Sequence, residues 1–208
     1  MRARIVGTGH AVPEGRITNA DLETMVETSD EWITTRTGIQ ERRKASAEEC
    51  TSTFAIPAVE RALEMAGLRG EDVELVVCGT VTPDMYFPAT ACTVQDGIGA
   101  RSAAAFDMNA GCTGFVYALG IASQFIETGR YRNAVVVGAE LLTKYIDWTD
   151  RGTCILFGDG AGAVVLKADE EADRGVLGMA LHSDGSLGNL IFMPGGGTKH
   201  PPSKELYD

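Results

Sequence analysis

The residues best suited to chemistry lie in the stretch Asp107-Met108-Asn109-Ala110-Gly111-Cys112-Thr113-Gly114-Phe115. Ahead of it runs Ala103-Ala104-Ala105-Phe106, an apolar run that reads as a buried strand. After it, Phe115, Val116, Leu119, Ile121, Ala122, Phe125 and Ile126 share one broad helix face. Cys112 is therefore expected on a tight strand-to-helix turn, where Gly111 and Gly114 let the backbone bend and pack closely. This is the geometry of a nucleophile elbow built around a thiol. A thiol at a helix N-terminus faces free N–H groups and the positive end of the dipole, which favour thiolate. The same N–H groups can receive a carbonyl oxygen as it becomes an oxyanion. Position alone leaves a second reading open, in which Cys112 is one more small buried apolar residue.

Other chemistry-bearing groups are fewer. In Thr28-Ser29-Asp30-Glu31-Trp32-Ile33-Thr34-Thr35-Arg36, Trp32 and Arg36 share one side of a helix turn. Such a pair could grip a flat base and a phosphate. A half-buried Trp beside a solvated Arg is the plainer reading of those residues alone. Gly7-Thr8-Gly9-His10 follows a strand but lacks the third glycine of a dinucleotide loop, and Pro13 follows soon after. Gly158-Asp159-Gly160-Ala161-Gly162 resembles a phosphate loop without its Lys-Ser/Thr, so tight packing into the next strand explains it better. The five cysteines (50, 78, 92, 112 and 154) are scattered, with no metal-ligand spacing, which favours a reduced, cytoplasmic compartment. There are 29 acidic against 18 basic residues, a net charge of −11, which argues against a nucleic-acid surface. No run approaches membrane length, and no basic-then-apolar leader precedes the first strand.

The positioning elements follow in order. Strands are expected at Arg4–Gly9, Val73–Cys78, Ala103–Asp107, Asn133–Gly138 and Ala163–Leu166. Helices are expected over Ala20–Glu27 behind a Thr18-Asn19 cap, over Thr51–Ala66 closed by Gly67, over Ala89–Ile98, and from Cys112 to about Gly129. Thr80–Pro88 reads as a loop rich in turn residues and aromatics. Leu141–Arg151 reads as a polar and aromatic excursion, Lys167–Arg174 as a charged turn, and Gly175–Ser183 as a new strand. Pro194–Pro202 reads as a linker-like loop. Uniformly apolar strands alternating with helices indicate a layered α/β fold around a mainly parallel sheet.

Together these segments resemble β-ketoacyl-acyl carrier protein synthase III, of the thiolase superfamily. The Cys112 box resembles the family's nucleophile box, Thr28–Arg43 its Thr-Ser-Asp-Glu-Trp-Ile segment, and Arg151–Leu166 its Gly-Asp-Gly-Ala-Gly-Ala segment. The resemblance runs in order from residue 4 to about residue 195, and it favours Cys112 as catalytic.

The resemblance implies an α-β-α-β-α layered fold, with residues 1–170 as the nucleophile-bearing half and residues 171–208 as the start of a second half, ending in a loop. Half of such a layered fold would leave a large apolar face exposed. The chain would then be a fragment of a longer one, or its remainder would be supplied or lost otherwise. The implied reaction loads a short acyl group from acyl-CoA onto Cys112 and condenses it with malonyl-acyl carrier protein, with loss of carbon dioxide. It needs no metal or redox cofactor, and a homodimer is implied. Trp32 and Arg151 would sandwich the adenine of CoA, with Thr28 and Arg36 near its ribose and phosphates. Leu142, Ile155, Leu156 and Phe157 would line the acyl pocket, and Phe87 would cap the partner's pocket across a dimer interface. The family's catalytic His and Asn fall past residue 208, and His10, His182 and His200 match neither. A related synthase with another primer, or an incompetent half that serves only folding or dimerisation, are the competing expectations.

Overall fold

The computed structural model describes residues 1–171 and 173–201. The described elements are β1 (Arg2–Ala11), β2 (Arg16–Thr18), α1 (Asn19–Glu23), α2 (Asp30–Thr37), β3 (Glu41–Arg43), α3 (Thr51–Ala66), β4 (Leu75–Gly79), α4 (Thr90–Gly97), β5 (Ala104–Met108), α5 (Gly114–Glu127), β6 (Asn133–Leu141), α6 (Arg151–Cys154) and β7 (Asp159–Asp169). Five strands form one sheet in the order β1-β7-β6-β4-β5, and β2 pairs with β3 in a separate two-stranded sheet whose strands are joined through α1 and α2.

The alternation of side chains along each strand assigns the two faces. Val76, Cys78, Val135, Val137, Ala161, Ala163 and Val165 point to one face, under Phe54, Ala58, Val59 and Ala62 of α3 and Val94 of α4. Leu75, Val77, Ala134, Val136, Val164 and Leu166 point to the other, under Ala118, Ala122 and Ile126 of α5. Both faces are covered, which is why the strands lack polar alternation. The result is a helix–sheet–helix sandwich, as the α/β reading expects.

The expected mainly parallel sheet is corrected. β4 pairs in parallel with β5 and β6, but β7 runs antiparallel to both β6 and β1. The β6–β7 connection, residues 142–158, holds a 3-10 turn at Leu142–Lys144 and the four-residue α6 but no helix long enough to pack along the sheet as a crossover, and β7 returns antiparallel beside β6. A buried strand reads the same in either direction, so sequence alone did not separate the two.

Gly7 and Gly9 lie against the backbone of Ala62 and Ala58 in α3, where a Cβ would collide. Close packing therefore accounts for the Gly-x-Gly run. Gly160 and Gly162 are strand residues of β7, and Gly162 pairs with His10 and Gly138; a Cβ at Gly160 would crowd Val12 at 3.2 Å, but one at Gly162 would meet nothing within 4 Å, so tight packing does not account for Gly162. Thr18 caps α1 as expected, its hydroxyl accepting from the Asp21 N–H.

The strand expected at Gly175–Ser183 is absent. Val176 N–H donates to Ala3 C=O, and no ladder continues from it. Gly175 takes φ +104°, and glycines at 175 and 178 weaken pairing. Ala172 and residues 202–208, the end of the expected second segment and of its closing loop, lie outside the described residues. Among the described residues no helix is long and apolar enough to cross a membrane.

Candidate functional site

The parallel strands β4, β5 and β6 end on one edge of the sheet. Gly79 is in register with Met108 and with Gly138, and Thr80 N–H donates to Met108 C=O. Ligands of open α/β sheets gather at such an edge. Three segments leave from it: the Cys112 turn after β5, the Thr80–Ala89 loop after β4, and residues 142–150 after β6.

Cys112 sits in a short 3-10 turn, Gly111–Thr113, immediately ahead of α5. Gly111 has φ +57°, a conformation that L side chains rarely adopt. The Thr113 hydroxyl and N–H both bond back to Ala110 C=O, at 2.7 and 3.3 Å, and Gly114 N–H bonds to Gly111 C=O. These bonds fix the turn and leave Cys112 exposed. The reading of Cys112 as a small buried residue is excluded. The bonds also refine the oxyanion expectation. Two N–H groups of the turn are spent inside it, whereas the N–H of Cys112 has no backbone acceptor among the described residues. Behind the turn, a Cβ on Gly79 would lie 2.8 Å from Gly114 C and Phe115 N. The glycine pair lets α5 begin directly on the end of β4.

Trp32, Arg36 and Arg151 come together. The Arg36 guanidinium lies 4.4 Å and the Arg151 guanidinium 4.8 Å from the centroid of the Trp32 ring. Arg151 also donates to Glu27 C=O at 2.9 Å. A base between two stacking partners needs about 7 Å between them. The expected Trp32–base–Arg151 sandwich is thus closed in this structure, with Arg151 resting on the indole. A cavity of about 430 Å³ opens beside it, lined by Met25, Val26, Glu27, Thr149, Asp150 and Arg151. The Thr28 hydroxyl next to this wall is shielded and has no hydrogen-bond partner, an unspent capacity that calls for a reason.

The expected acyl-pocket residues are spread across environments. Ile155 is 3% exposed and packs with Ile17, Leu22, Ile33 and Cys154 beneath Trp32. Leu142 and Phe157 are half-buried, and Leu156 is exposed. Phe87 is 86% exposed, at the tip of a loop that also presents Met85 and Tyr86. A larger apolar groove of about 750 Å³ runs between α5 and residues 176–181, and none of the chemistry-bearing residues line it.

Sequence reasoning missed the carboxylates that fasten the aromatic loop. Glu140 accepts from Val81 N–H at 2.8 Å, Thr82 N–H at 3.1 Å and the Thr82 hydroxyl. Burial pushes its carboxyl up, and those hydrogen bonds oppose the shift. Asp107 accepts from Thr90 N–H at 2.8 Å and Ala91 N–H at 2.7 Å, capping α4. Asp84 accepts from Ser52 N–H at 2.9 Å. Asp159 takes the N–H groups of Ala45 and Thr143, at 2.7 and 2.9 Å, and the Thr143 hydroxyl. Single acidic residues at strand ends give no periodic signal. Only the three-dimensional arrangement reveals their partners.

Comparison with known proteins agrees with this geometry. The family model for 3-oxoacyl-[acyl-carrier-protein] synthase III matches residues 106–185, which include the Cys112 turn. The β-ketoacyl-[acyl-carrier-protein] synthase III of Caldanaerobacter subterraneus subsp. tengcongensis is 56% identical over 208 residues, covering 100% of this chain and 62% of that protein. The crystal structure of 3-oxoacyl-[acyl-carrier-protein] synthase III from Aquifex aeolicus VF5 is 50% identical with a TM-score of 0.80, covering 82% of this chain and 55% of that one. The Pseudomonas aeruginosa PAO1 synthase III structure is 39% identical with a TM-score of 0.89, covering 95% and 60%. The layered α/β fold is therefore the thiolase-like one of these structures. The chain spans about six tenths of the length of the curated relatives it matches. By sequence and by fold, this chain is similar to β-ketoacyl-acyl carrier protein synthase III over about six tenths of the length of those proteins.

Proposed function

We propose that Cys112 accepts a short acyl group from acyl-CoA and passes it to a carbanion derived from malonyl-acyl carrier protein. The observation that carries this reading is the exposed Cys112 on a glycine turn at the head of α5, at the edge where the parallel strands end. The Cys112 thiolate attacks the thioester carbonyl, and the CoA thiolate leaves as the acyl-cysteine thioester forms. Cys112 N–H, unspent in the turn, is the donor this reading assigns to the developing oxyanion. Malonyl-acyl carrier protein then loses carbon dioxide. Its carbanion attacks the acyl-cysteine carbonyl, a carbon–carbon bond forms, and the Cys112 thiolate leaves. The covalent intermediate divides one hard condensation into two easier steps. Both steps are redox-neutral thioester chemistry, so the reading calls for no metal or redox cofactor.

In this reading the Trp32–Arg36–Arg151 cluster holds the CoA nucleotide, and Arg151 moves off the indole as the base enters. The two guanidinium groups suit phosphates, and the unpartnered Thr28 hydroxyl suits a ribose or phosphate oxygen. Leu142, Leu156 and Phe157 line the acyl channel, with Ile155 packed behind them. Phe87 caps the channel of a second copy in a homodimer, a reading supported by its exposure and by the hydrogen bonds that fasten its loop at Val81, Thr82 and Asp84. The five unpaired cysteines favour the cytoplasm. The domain reading keeps residues 1–170 as one layered half.

The test supplies acetyl-, branched and longer acyl-CoAs to the chain and measures the acyl-Cys112 thioester, the product of the first step. The reading expects product from the short primers. A strong preference for the long ones defeats the short-primer assignment.

A further inference from the structure

Arg42 is buried without a carboxylate beside it. It is 5% exposed, yet its guanidinium reaches three separate elements. Nη1 donates to Ile17 C=O of β2 at 3.2 Å and to Asn19 Oδ1 of α1 at 2.9 Å. Nη2 donates to Ile155 C=O, at the end of α6, at 2.9 Å. Nε has no partner. Burying a guanidinium this way is costly, and burial pulls its basicity down. An apolar residue would avoid that cost but would leave the Ile17 and Ile155 carbonyls and Asn19 Oδ1 without this donor, so the fork is what joins the three elements.

The hydrogen bonds show what it connects. Asn19 is 2% exposed, and its amide continues the chain of contacts. Nδ2 donates to Asp30 Oδ1 at 2.7 Å and to Ile39 C=O at 2.8 Å. Asp30 is the first residue of α2, two positions before Trp32. Ile155 directly follows α6, the helix that begins with Arg151. One continuous path, Ile155–Arg42–Asn19–Asp30, therefore ties the element carrying Arg151 to the element carrying Trp32. The Asp30 carboxylate also faces the buried cation at one remove, through the Asn19 amide.

We infer that Arg42 is the positioning residue of the Trp32–Arg151 clamp, setting the separation of α6 and α2 and with it the selectivity for a CoA nucleotide. The inference rests on the reading that this clamp receives the nucleotide. Lysine keeps the charge but cannot bond two directions with a planar fork. It should therefore not substitute for Arg42.

The experiment follows tryptophan fluorescence of the chain during titration with coenzyme A and, separately, with pantetheine, which lacks the nucleotide. The wild-type chain should bind coenzyme A more tightly than pantetheine. Arg42→Lys should weaken coenzyme A binding about tenfold while leaving pantetheine binding and the iodoacetamide alkylation rate of Cys112 within about twofold. If wild type does not distinguish the two probes, the clamp reading itself fails. If wild type distinguishes them and Arg42→Lys does so equally well, the role of Arg42 is overturned. Should Arg42→Lys lose its native circular dichroism, Asp30→Ala, which removes the acceptor at the exposed end of the path, carries the test. There a rise of about threefold in the coenzyme A dissociation constant is expected, and an unchanged constant overturns the inference.

Discussion

The Arg151 guanidinium rests 4.8 Å from the centroid of the Trp32 ring, on an indole that Arg36 also contacts. The two arginines approach the same ring from different elements, α2 and α6. An exposed cation–π contact is worth about 0.5–1 kcal/mol, so opening the clamp costs little compared with seating a base between its jaws.

The first prediction concerns that exchange. Arg151→Ala removes one jaw and one phosphate partner, and the Michaelis constant for acyl-CoA should rise about tenfold. Arg36→Ala should do the same to a similar extent. Neither should change the alkylation rate of Cys112, because neither belongs to its turn. Steady-state kinetics beside iodoacetamide labelling checks the pair, and an unchanged Michaelis constant removes that arginine from the site.

A second prediction tests the backbone contact behind the nucleophile. Gly79→Ala places a Cβ 2.8 Å from Gly114 C and Phe115 N, so α5 must shift. Overpacking of this kind costs about 1–3 kcal/mol, read as a lower urea midpoint, and Cys112 should alkylate with altered rate. Gly162→Ala is the control. Its Cβ meets nothing within 4 Å, and its stability should stay within about 0.5 kcal/mol of wild type.

The legible and illegible parts of this molecule divide along physical lines. The Thr18 cap, the Gly67 stop and the apolar runs of β4, β6 and α5 are local signals, and each appears where sequence places it. The Cys112 turn was readable because a strand, two glycines and a helix face follow each other without interruption. The antiparallel course of β7 was not, since burial on both faces erases direction. Nor was the closed clamp, because Arg151 meets Trp32 only through the fold. Arg42 and Glu140 stayed invisible for the same reason: a single charged residue has no period, and its partners lie on other elements.

A third prediction follows from Glu140. Burial raises its folded-state pKa above the unfolded value of about 4.3. A carboxyl shifted upward binds its proton more readily in the folded chain. Its stabilising contribution is therefore complete below about pH 4.3, falls as pH rises through the folded pKa, and then stays constant. Glu140→Gln has no such titration. In urea melts across this window, wild type should lose stability relative to Glu140→Gln as pH rises, whereas parallel curves would refute the shift. Asp21, Asp72, Asp147, Asp169 and Asp184 do not confuse the window. Hydrogen bonds hold their pKa values low, so their contributions disappear only as pH falls below about 3.9.

The most direct measurement is of the sulfur itself. The folded chain is incubated with radiolabelled acetyl-CoA, digested at acidic pH and mapped by mass spectrometry, alongside Cys112→Ala. Acyl transfer to Cys112 predicts one hydroxylamine-labile acetyl group on the peptide containing Cys112, and none on the variant. A folded wild-type chain that carries no acetyl group there, or a variant labelled equally well, would contradict the assignment of Cys112 as acyl acceptor.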